Sequence, residues 1–189
     1  MDLQKAIEKR ASIRKYALKE VKKEDIIKAI EAANMAPAPG NLQPLRYVIV
    51  EKPELKETIA EASRQEFIKD AQFVVVICSN PKDIKRFYDV RADKYLSQHA
   101  GAAAENFLLK ITDLGLASCW VGAFVDNMIK RVLKIPEDIN IEVILPVGYQ
   151  AVTDKTKQKR KISLNRKIFF DGWLNKYGHP FEAVRRGDV

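Results

Sequence analysis

The stretch Arg10-Ala11-Ser12-Ile13-Arg14, close to the start of the chain, decides how the rest of the sequence is interpreted. In an extended backbone the side chains alternate between two faces, so Arg10, Ser12 and Arg14 would point in the same direction. Two guanidinium groups beside a hydroxyl can hold a phosphate, because charge-assisted and bidentate hydrogen bonds are the stronger ones. The pattern therefore predicts a phosphate clamp, although short patterns of this kind also occur on ordinary solvated surfaces.

Roughly two dozen residues later comes a second distinctive stretch, Ala36-Pro37-Ala38-Pro39-Gly40-Asn41-Leu42-Gln43-Pro44. Its three prolines and one glycine predict a rigid loop without regular secondary structure. A residue that precedes a proline avoids helical angles, so the amphipathic helix predicted over 24–35 must end before Pro37. Asn41 beside Gly40 is also ordinary turn chemistry.

The spacing of apolar residues predicts helices and strands along most of the remaining chain. The run 73–78 is continuously apolar, as expected for a strand covered on both faces, whereas 80–95 has no clear period. Pro146 predicts an irregular or edge position in the last strand. Helices are predicted near the N-terminus and over 24–35, 53–62, 97–114 and 126–133, and strands over 46–50, 73–78, 117–122 and 141–149. This order predicts an α/β or α+β domain with four or five strands and helices on both faces.

Composition limits the class of protein without choosing its function. The 189 residues are 47% hydrophobic and 31% charged, which is typical of one globular domain spanning 1–189. The net charge of +8 is compatible with nucleic acid, an acidic membrane surface, small anionic ligands or simple solubility. Cys78 and Cys119 lie in apolar stretches, so we expect buried free thiols and no metal site. The first residues lack the apolar core of a signal peptide and no segment could span a bilayer, so we expect a cytoplasmic protein.

Further motifs follow in order along the chain. They are Gln98–Leu109 with its small residues, Gly115–Phe124, Leu145-Pro146-Val147-Gly148-Tyr149, and a basic run before Asp171-Gly172-Trp173. Together with the two stretches above, these motifs resemble the FMN-dependent nitroreductase family over nearly the whole chain.

The resemblance implies both a fold and an activity. The fold would be α+β, with a central mixed β-sheet flanked by helices, in an intertwined homodimer with an extended C-terminal arm. One FMN would bind at each of two subunit interfaces, and the small-residue face at Ala100–Ala104 would belong to the dimer core. NADH or NADPH would reduce the flavin, and a small-molecule acceptor (a nitroaromatic, a quinone or a flavin) would then be reduced in the same cleft, which is a ping-pong mechanism.

The resemblance also assigns cofactor-binding residues. Arg10, Ser12 and Arg14 would hold the FMN phosphate and ribityl chain, and Arg160, with Lys159 or Lys161, would return to the phosphate. The turn from Pro37 through Ala38 to Asn41 would reach the flavin of the other subunit, supported by Gln43. The chain departs from the family at Ala38, where a serine is common, and at Leu45, where an aromatic residue is common.

Val121 and Gly122 would lie near the reactive edge of the flavin, where backbone N–H groups can stabilise its reduced form. No side-chain catalytic residue is predicted, because in a flavoenzyme the cofactor carries the chemistry and the protein supplies position and electrostatics. His99 is accordingly interpreted as a satisfied or exposed histidine.

A different class of function stays open at this point. Residues 153–167 carry seven Lys or Arg against one Asp. A non-enzymatic basic protein could use the arm at 155–167 to bind nucleic acid, although such binding normally adds interleaved aromatic residues or a recognisable fold. The family resemblance favours an enzyme that binds neither nucleic acid nor a membrane.

Overall fold

The computed structural model describes residues 1–154, 163–164 and 167–175. The chain divides into two compact units, Met1–Thr156 and Lys157–Val189, and every helix and strand given below lies in the first. In the second unit the rings of Phe169 and Trp173 pack at a centroid distance of 5.1 Å. Arg160, Lys159, Lys161 and most of the predicted arm lie outside the described residues.

Six α-helices form in the described part of the chain, and local signals fix several of their ends. The carboxylate of Asp2 accepts a hydrogen bond from the N–H of Lys5 and caps the first helix, while Pro53 occupies the first turn of the third, where its missing N–H costs nothing. The helices are α1 (Leu3–Lys9), α2 (Lys23–Asn34), α3 (Pro53–Ser63), α4 (Lys82–Tyr88), α5 (Ala92–Asp113) and α6 (Asp126–Leu133).

Five strands form one sheet, which confirms the predicted α+β class. They are β1 (Tyr16–Ala17), β2 (Leu45–Val50), β3 (Phe73–Ser79), β4 (Ala117–Ser118) and β5 (Asn140–Gln150). The order is β1-β5-β3-β2, with β4 also paired to β5, and each of these pairs is antiparallel. Among the described residues the parallel part of the expected mixed sheet is confined to one isolated bridge between Ser12 and Ser118.

β3 lies between two layers of apolar side chains. Val75 and Ile77 belong to the cluster that includes α2 and α5, and Val74 and Val76 belong to the cluster that includes α3 and α6. Every residue of β3 is buried, which confirms the prediction made from its unbroken apolar run. Cys78 and Cys119 are buried free thiols, also as predicted.

Pro146 lies inside the sheet and not at its edge, so the edge alternative is wrong. β5 pairs with β3 on one side, where Pro146 faces Val74. On the other side, pairing with β4 stops at Val147 and resumes only at the bridge between Val121 and Ile144. Pro146 has no N–H to donate, and this gap opposite it is the irregularity that the sequence predicted.

The segment 80–95 is more regular than its sequence suggests. It contains α4, a 3-10 turn over Asp89–Arg91 and the first residues of α5, which begins at Ala92 and not at Ser97 as predicted. Ile84, Ala92 and Leu96 form a small buried cluster of their own. Tertiary packing therefore stabilises helices that lack a long amphipathic repeat.

The small residues of α5 form a close-packing surface, as predicted. Ala100, Ala103 and Ala104 are at most 3% exposed and pack inside the subunit, against the sheet and α2. Gly101 and Ala102 on the same helix are half-buried, and the assignment of this face to a dimer core stays a prediction. None of the helices in the described residues combines the length and apolar character needed to cross a bilayer.

Candidate functional site

The segment that carries the predicted clamp is tied to the sheet. α1 ends at Lys9, and the extended chain that follows runs beside β4. The N–H of Ile13 donates to the carbonyl of Ser118 at 3.0 Å, and the Ile13 side chain is buried. Ser12 is thereby held at a fixed position next to β4, as the extended conformation predicted.

Arg10 has an acidic neighbour and a cavity beside it. Its Nε lies 3.3 Å from the carboxylate of Glu105 on α5, but this buried nitrogen has no aligned hydrogen-bond acceptor within the described chain. The hydroxyl of Ser118 is likewise buried without a partner there. Both residues line one cavity of about 290 Å³. Buried polar groups are normally satisfied, so these two fit a polar ligand portion such as a phosphate or a hydroxylated chain.

Arg14 is exposed and contacts different groups from Arg10. Its Nη1 donates to the carbonyl of Ser12 at 3.5 Å, and its guanidinium lies 5.9 Å from the ring centroid of Phe67. Its backbone N–H donates to the carboxylate of Asp154 at 3.4 Å. The structure thus brings Arg10, Ser12 and Arg14 onto one short segment but directs the two guanidinium groups to separate neighbours.

Cys119 lies directly behind this segment. Burial raises the pKa of the Cys119 thiol, while the charge of Arg14 and a hydrogen bond from Ser12 act in the opposite direction. The thiol also lies 3.7 Å from the carbonyl of Trp120. A buried, protonated thiol is a poor nucleophile, so Cys119 supports the segment and carries no chemistry.

The turn at 37–43 is strained and exposed. Gly40, Asn41 and Gln43 have φ values of 54°, 57° and 49°, in the left-handed region. A side chain at Gly40 would collide with the Tyr88 hydroxyl, which lies 2.6 Å from the position of a Cβ. The side chains of Asn41 and Gln43 are exposed and joined by a 3.4 Å hydrogen bond. Strained backbone of this kind is common at functional sites, and here it leaves two amide side chains exposed.

Val121 and Gly122, the two residues predicted at the flavin edge, differ in whether their backbone N–H groups are already hydrogen-bonded. The N–H and carbonyl of Val121 both bond to Ile144 at 3.0 Å, and the Val121 side chain is buried. Its N–H is therefore not available to a ligand. In the part of the chain that the structure describes, the N–H groups of Gly122, Ala123 and Phe124 donate to no acceptor.

The free N–H groups of this loop are held between two anchors. The Val121–Ile144 bridge fixes one end, and the N–H of Val125 donates to the carbonyl of Ala62 at 2.9 Å at the other, just before α6. Donors that are fixed in this way form a site for negative charge without reorganising. The place of Gly122 at the flavin edge stays a prediction, and Val121, which is bonded on both sides, holds the start of the loop.

A larger cavity, of about 450 Å³, lies between the 37–39 turn and the first half of α5. Tyr88 and Tyr95 form part of its wall with their rings edge to face, 5.1 Å apart. His99 also lines it; burial lowers the pKa of this imidazole, and its Nδ1 is buried with no partner in the described chain. The interpretation of His99 as satisfied or exposed is therefore wrong.

Sequence reasoning missed the hydroxyl of Ser118 and the two tyrosines. Tyr88 ends α4 and Tyr95 lies in the first turn of α5, so the break between these helices brings the two rings together and no helical period in the sequence indicates it. Nothing in the sequence marked Ser118, because its lack of a partner depends on the strands packed around it. The described residues contain no cluster of side chains suited to a metal ion.

This chain is similar in sequence and in fold to proteins of one known family. The model of the Nitroreductase family matches residues 7–69 and 60–149. A protein of Archaeoglobus fulgidus, provisionally named NADH dehydrogenase/NAD(P)H nitroreductase, is 33% identical over 150 residues, covering 77% of this chain and 83% of the relative. A relative of the same provisional name from Methanothermobacter thermautotrophicus is 32% identical over 164 residues, covering 83% of this chain and 82% of its own.

Solved structures of nitroreductase family proteins have the same fold as this chain. A nitroreductase family protein of Clostridium novyi NT superimposes with a TM-score of 0.75 and 27% identity, covering 94% of this chain and 97% of that one. An FMN-dependent nitroreductase from Clostridium difficile R20291 gives a TM-score of 0.72 and 28% identity, covering 89% and 98%.

The strain in the 37–43 turn leads to a prediction about stability. Replacing Gln43 by glycine removes the steric cost of its left-handed φ but adds chain entropy to the unfolded state, so the unfolding free energy should stay within ~1 kcal/mol of the wild type. Gln43→Val should lower it by ~1–3 kcal/mol, because a β-branched residue tolerates positive φ poorly. Urea unfolding measures both variants. Gln72→Val, at an exposed position without positive φ, is the matched control, and an equal loss there would contradict the argument.

Proposed function

Because this chain belongs to the nitroreductase family, it is an oxidoreductase, and we propose that it binds FMN and uses NADH or NADPH to reduce a small-molecule acceptor. The observation that carries the proposal is the anchored loop at Gly122, Ala123 and Phe124, whose N–H groups have no acceptor among the residues that the structure describes. Bound FMN would supply hydride chemistry, accepting two electrons from the nicotinamide and passing them to the acceptor. The residues of this chain would bind the FMN, orient it and stabilise the negative charge of its reduced form.

The phosphate end of the cofactor belongs to Arg10, Ser12 and Arg14. Arg10 and Ser118 support this assignment, because both line the same cavity and the Ser118 hydroxyl has no partner in the described chain. The position of Glu105 weighs against this assignment. Its carboxylate lies beside Arg10, so a phosphate must compete with that carboxylate for the guanidinium. Arg160 is proposed as an additional phosphate contact.

The ring end belongs to the loop at Gly122 and to the turn at Pro37, Ala38 and Asn41, supported by Gln43. The Gly122 N–H is the donor best placed to stabilise negative charge, because Val121 is already bonded on both sides. A Cβ at Gly122 would make only ordinary contact with Trp120, 3.5 Å away, so the space above the loop is open to a ligand. No side-chain acid or base is required for hydride transfer in this arrangement.

One cleft would serve both half-reactions. The nicotinamide would bind, transfer hydride and leave before a nitroaromatic, quinone or flavin acceptor enters, which gives ping-pong kinetics. The family names of the relatives support nicotinamide as the donor.

We also propose that the protein is a homodimer. Leu3 and Met35 are 68% and 82% exposed beside an apolar groove of about 410 Å³ between α1, α2 and α5. Adjacent exposed apolar side chains at a groove are typical of an interface between subunits. The 37–43 turn presents its amide side chains outward, so it is available to a flavin held by the partner subunit.

The phosphate clamp leads to a binding prediction. Arg10→Ala or Arg14→Ala should weaken FMN by ~1.5–3 kcal/mol, roughly ten- to a hundredfold, since each removes a hydrogen bond to a charged group. Ser12→Asp should weaken FMN further by placing a carboxylate against the phosphate. Equilibrium titration of the apo variants with FMN measures the effect. Glu105→Gln, which removes the ion pair but keeps Arg10, should not weaken binding; unchanged affinity in all three clamp variants would refute the assignment.

The anchored loop leads to a prediction about the reaction. In the wild type, bound FMN should be yellow and should bleach when NADH or NADPH is added. Gly122→Val should slow this bleaching by more than about tenfold, a barrier of more than ~1.4 kcal/mol, because a bulky side chain obstructs the nicotinamide above the ring. Gly122→Ala, whose Cβ fits beside Trp120, is the matched control and should react faster than the valine variant.

Stopped-flow absorbance at saturating nicotinamide gives both rates. Equal rates for the two variants would contradict the placement of Gly122. A colourless wild-type protein that ignores FMN but shifts DNA or RNA in a gel would overturn the enzyme and support the basic nucleic-acid-binding alternative.

The groove leads to a prediction about assembly. Wild-type protein should sediment as a dimer, and Leu3→Glu combined with Met35→Glu should release monomers that lose FMN, because charges would then have to be buried in the interface. Analytical ultracentrifugation at the flavin absorbance wavelength measures mass and flavin together. Leu18→Glu, at a fully exposed residue outside the groove, is the control. A monomer that retains all of its flavin would exclude the shared site.

A further inference from the structure

The C-terminal end of α6 has a concave surface with an excess of positive charge. A cavity of about 440 Å³ lies there, and its lining includes Asn127, Lys130, Arg131 and Lys134. These four residues are three or four positions apart, which is the spacing of neighbours on one helix face. The only carboxylate in the lining belongs to Glu137. Three cations and one carboxylate therefore share this cavity, and such a balance favours an anionic ligand.

Arg131 and Lys134 carry charges that no acidic group neutralises in the described part of the chain. Both residues are exposed, and their side chains form no ion pair or hydrogen bond there. Glu137 lines the same cavity but pairs with neither of them. A guanidinium and an ammonium in this state are available to a phosphate, which accepts charge-assisted and bidentate hydrogen bonds.

Lys130 adds a largely buried charge beside the same cavity. The residue is 9% exposed, and its Nζ donates to the backbone carbonyl of Glu137 at 2.8 Å. No carboxylate among the described residues pairs with this ammonium, although burying a charge is costly unless an opposite charge compensates it. An anion in the cavity would supply that compensation.

Cations near the end of a helix often interact with its last carbonyl groups or with its dipole. Here backbone N–H groups already occupy two of those carbonyls. The N–H of Ile135 donates to the carbonyl of Lys130 at 2.9 Å, and the N–H of Lys134 donates to that of Arg131 at 3.4 Å. The dipole corresponds to only about half of a negative charge, so it does not offset three cations.

We propose that this cavity binds a phosphate group, held by the exposed Arg131 and Lys134, with Lys130 adding attraction from the wall. The phosphate belongs either to NADPH, whose adenosine carries a 2′-phosphate that NADH lacks, or to a separate phosphorylated molecule. Only the first source rests on the proposed function. α6 begins at Asp126, shortly after Gly122, and its 8 residues extend about 12 Å, a length that a dinucleotide beginning at the Gly122 loop can span.

Phosphate binding can be measured at the cavity itself. Ile135 is part of the lining, so its δ-methyl resonance reports on the site in protein labelled with ¹³C-methyl isoleucine. Ile135→Val identifies that resonance by removing it. Inorganic phosphate should shift the resonance saturably, whereas chloride at the same ionic strength should not.

Charge removal tests which side chains hold the phosphate. Arg131→Gln combined with Lys134→Gln should weaken phosphate binding about five- to twentyfold, since each exposed ion pair contributes modestly. Lys130 is left in place because it is largely buried. Lys94→Gln, which removes an exposed cation from α5, is the matched control and should bind phosphate like the wild type. The absence of a saturable shift in the wild type, or unchanged phosphate affinity in the double variant, would overturn the proposal.

The two coenzymes identify the source of the phosphate. If NADPH supplies it, the double variant should lower the ratio of the bleaching rate with NADPH to that with NADH, both at low concentration, about five- to twentyfold. The rate with NADH should not change, and 2′,5′-ADP should shift the Ile135 resonance at lower concentration than 5′-AMP. An unchanged ratio, together with saturable phosphate binding, assigns the cavity to a separate phosphorylated molecule.

The proposed function and the phosphate site fail in different ways. A wild-type protein that binds no FMN, or does not bleach with NADH or NADPH, refutes the proposed function and leaves the methyl resonance measurable. A wild type that bleaches, but whose Ile135 resonance does not respond to phosphate, refutes the cavity assignment alone.

Discussion

The pairing of β5 with its neighbours is the interaction on which the rest of the structure depends. This strand pairs with β3 along one side and with β1, β4 and the Val121 bridge along the other. The same backbone that completes the core therefore fixes the loop at Gly122 and the strand beside Ser12. Because β3 and β5 are buried, any loss of their hydrogen bonds would leave unsatisfied polar groups in an apolar environment, so the register is strongly specified.

Close approach along β5 depends on one glycine. A Cβ at Gly148 would lie 2.8 Å from the Tyr16 ring, so only glycine admits the ring at this point. The Tyr16 hydroxyl then donates to the carbonyl of Pro146 at 3.2 Å and lies 3.0 Å from that of Ile13. Burial raises the pKa of Tyr16, which keeps the hydroxyl protonated as a donor. These contacts connect the clamp segment to the centre of the sheet.

The candidate site is built from groups that the fold leaves unsatisfied. The loop after Val121 has N–H groups without acceptors, the Ser118 hydroxyl and His99 Nδ1 lack partners in the described chain, and the turn at Asn41 is strained. The buried groups among these features, and the strained turn, have an energetic cost in an isolated chain. A cofactor and a second subunit could lower that cost by supplying the missing contacts.

The sequence alone determined the helices and strands that have a strong apolar period, the α+β class, the buried thiols and the family to which the motifs point. These properties follow from local spacing or from residue types whose chemistry does not depend on distant neighbours. The start of α5 at Ala92, the interior position of Pro146 and the burial of Ala100 and Ala104 were decided by tertiary packing. Tertiary packing also decided that the Gly122 N–H has no acceptor, and Nδ1 of His99 no partner, among the described residues. A hydrogen-bond donor is free, or a side chain unsatisfied, only in relation to groups that folding brings beside it from elsewhere in the chain, and no local pattern contains that information.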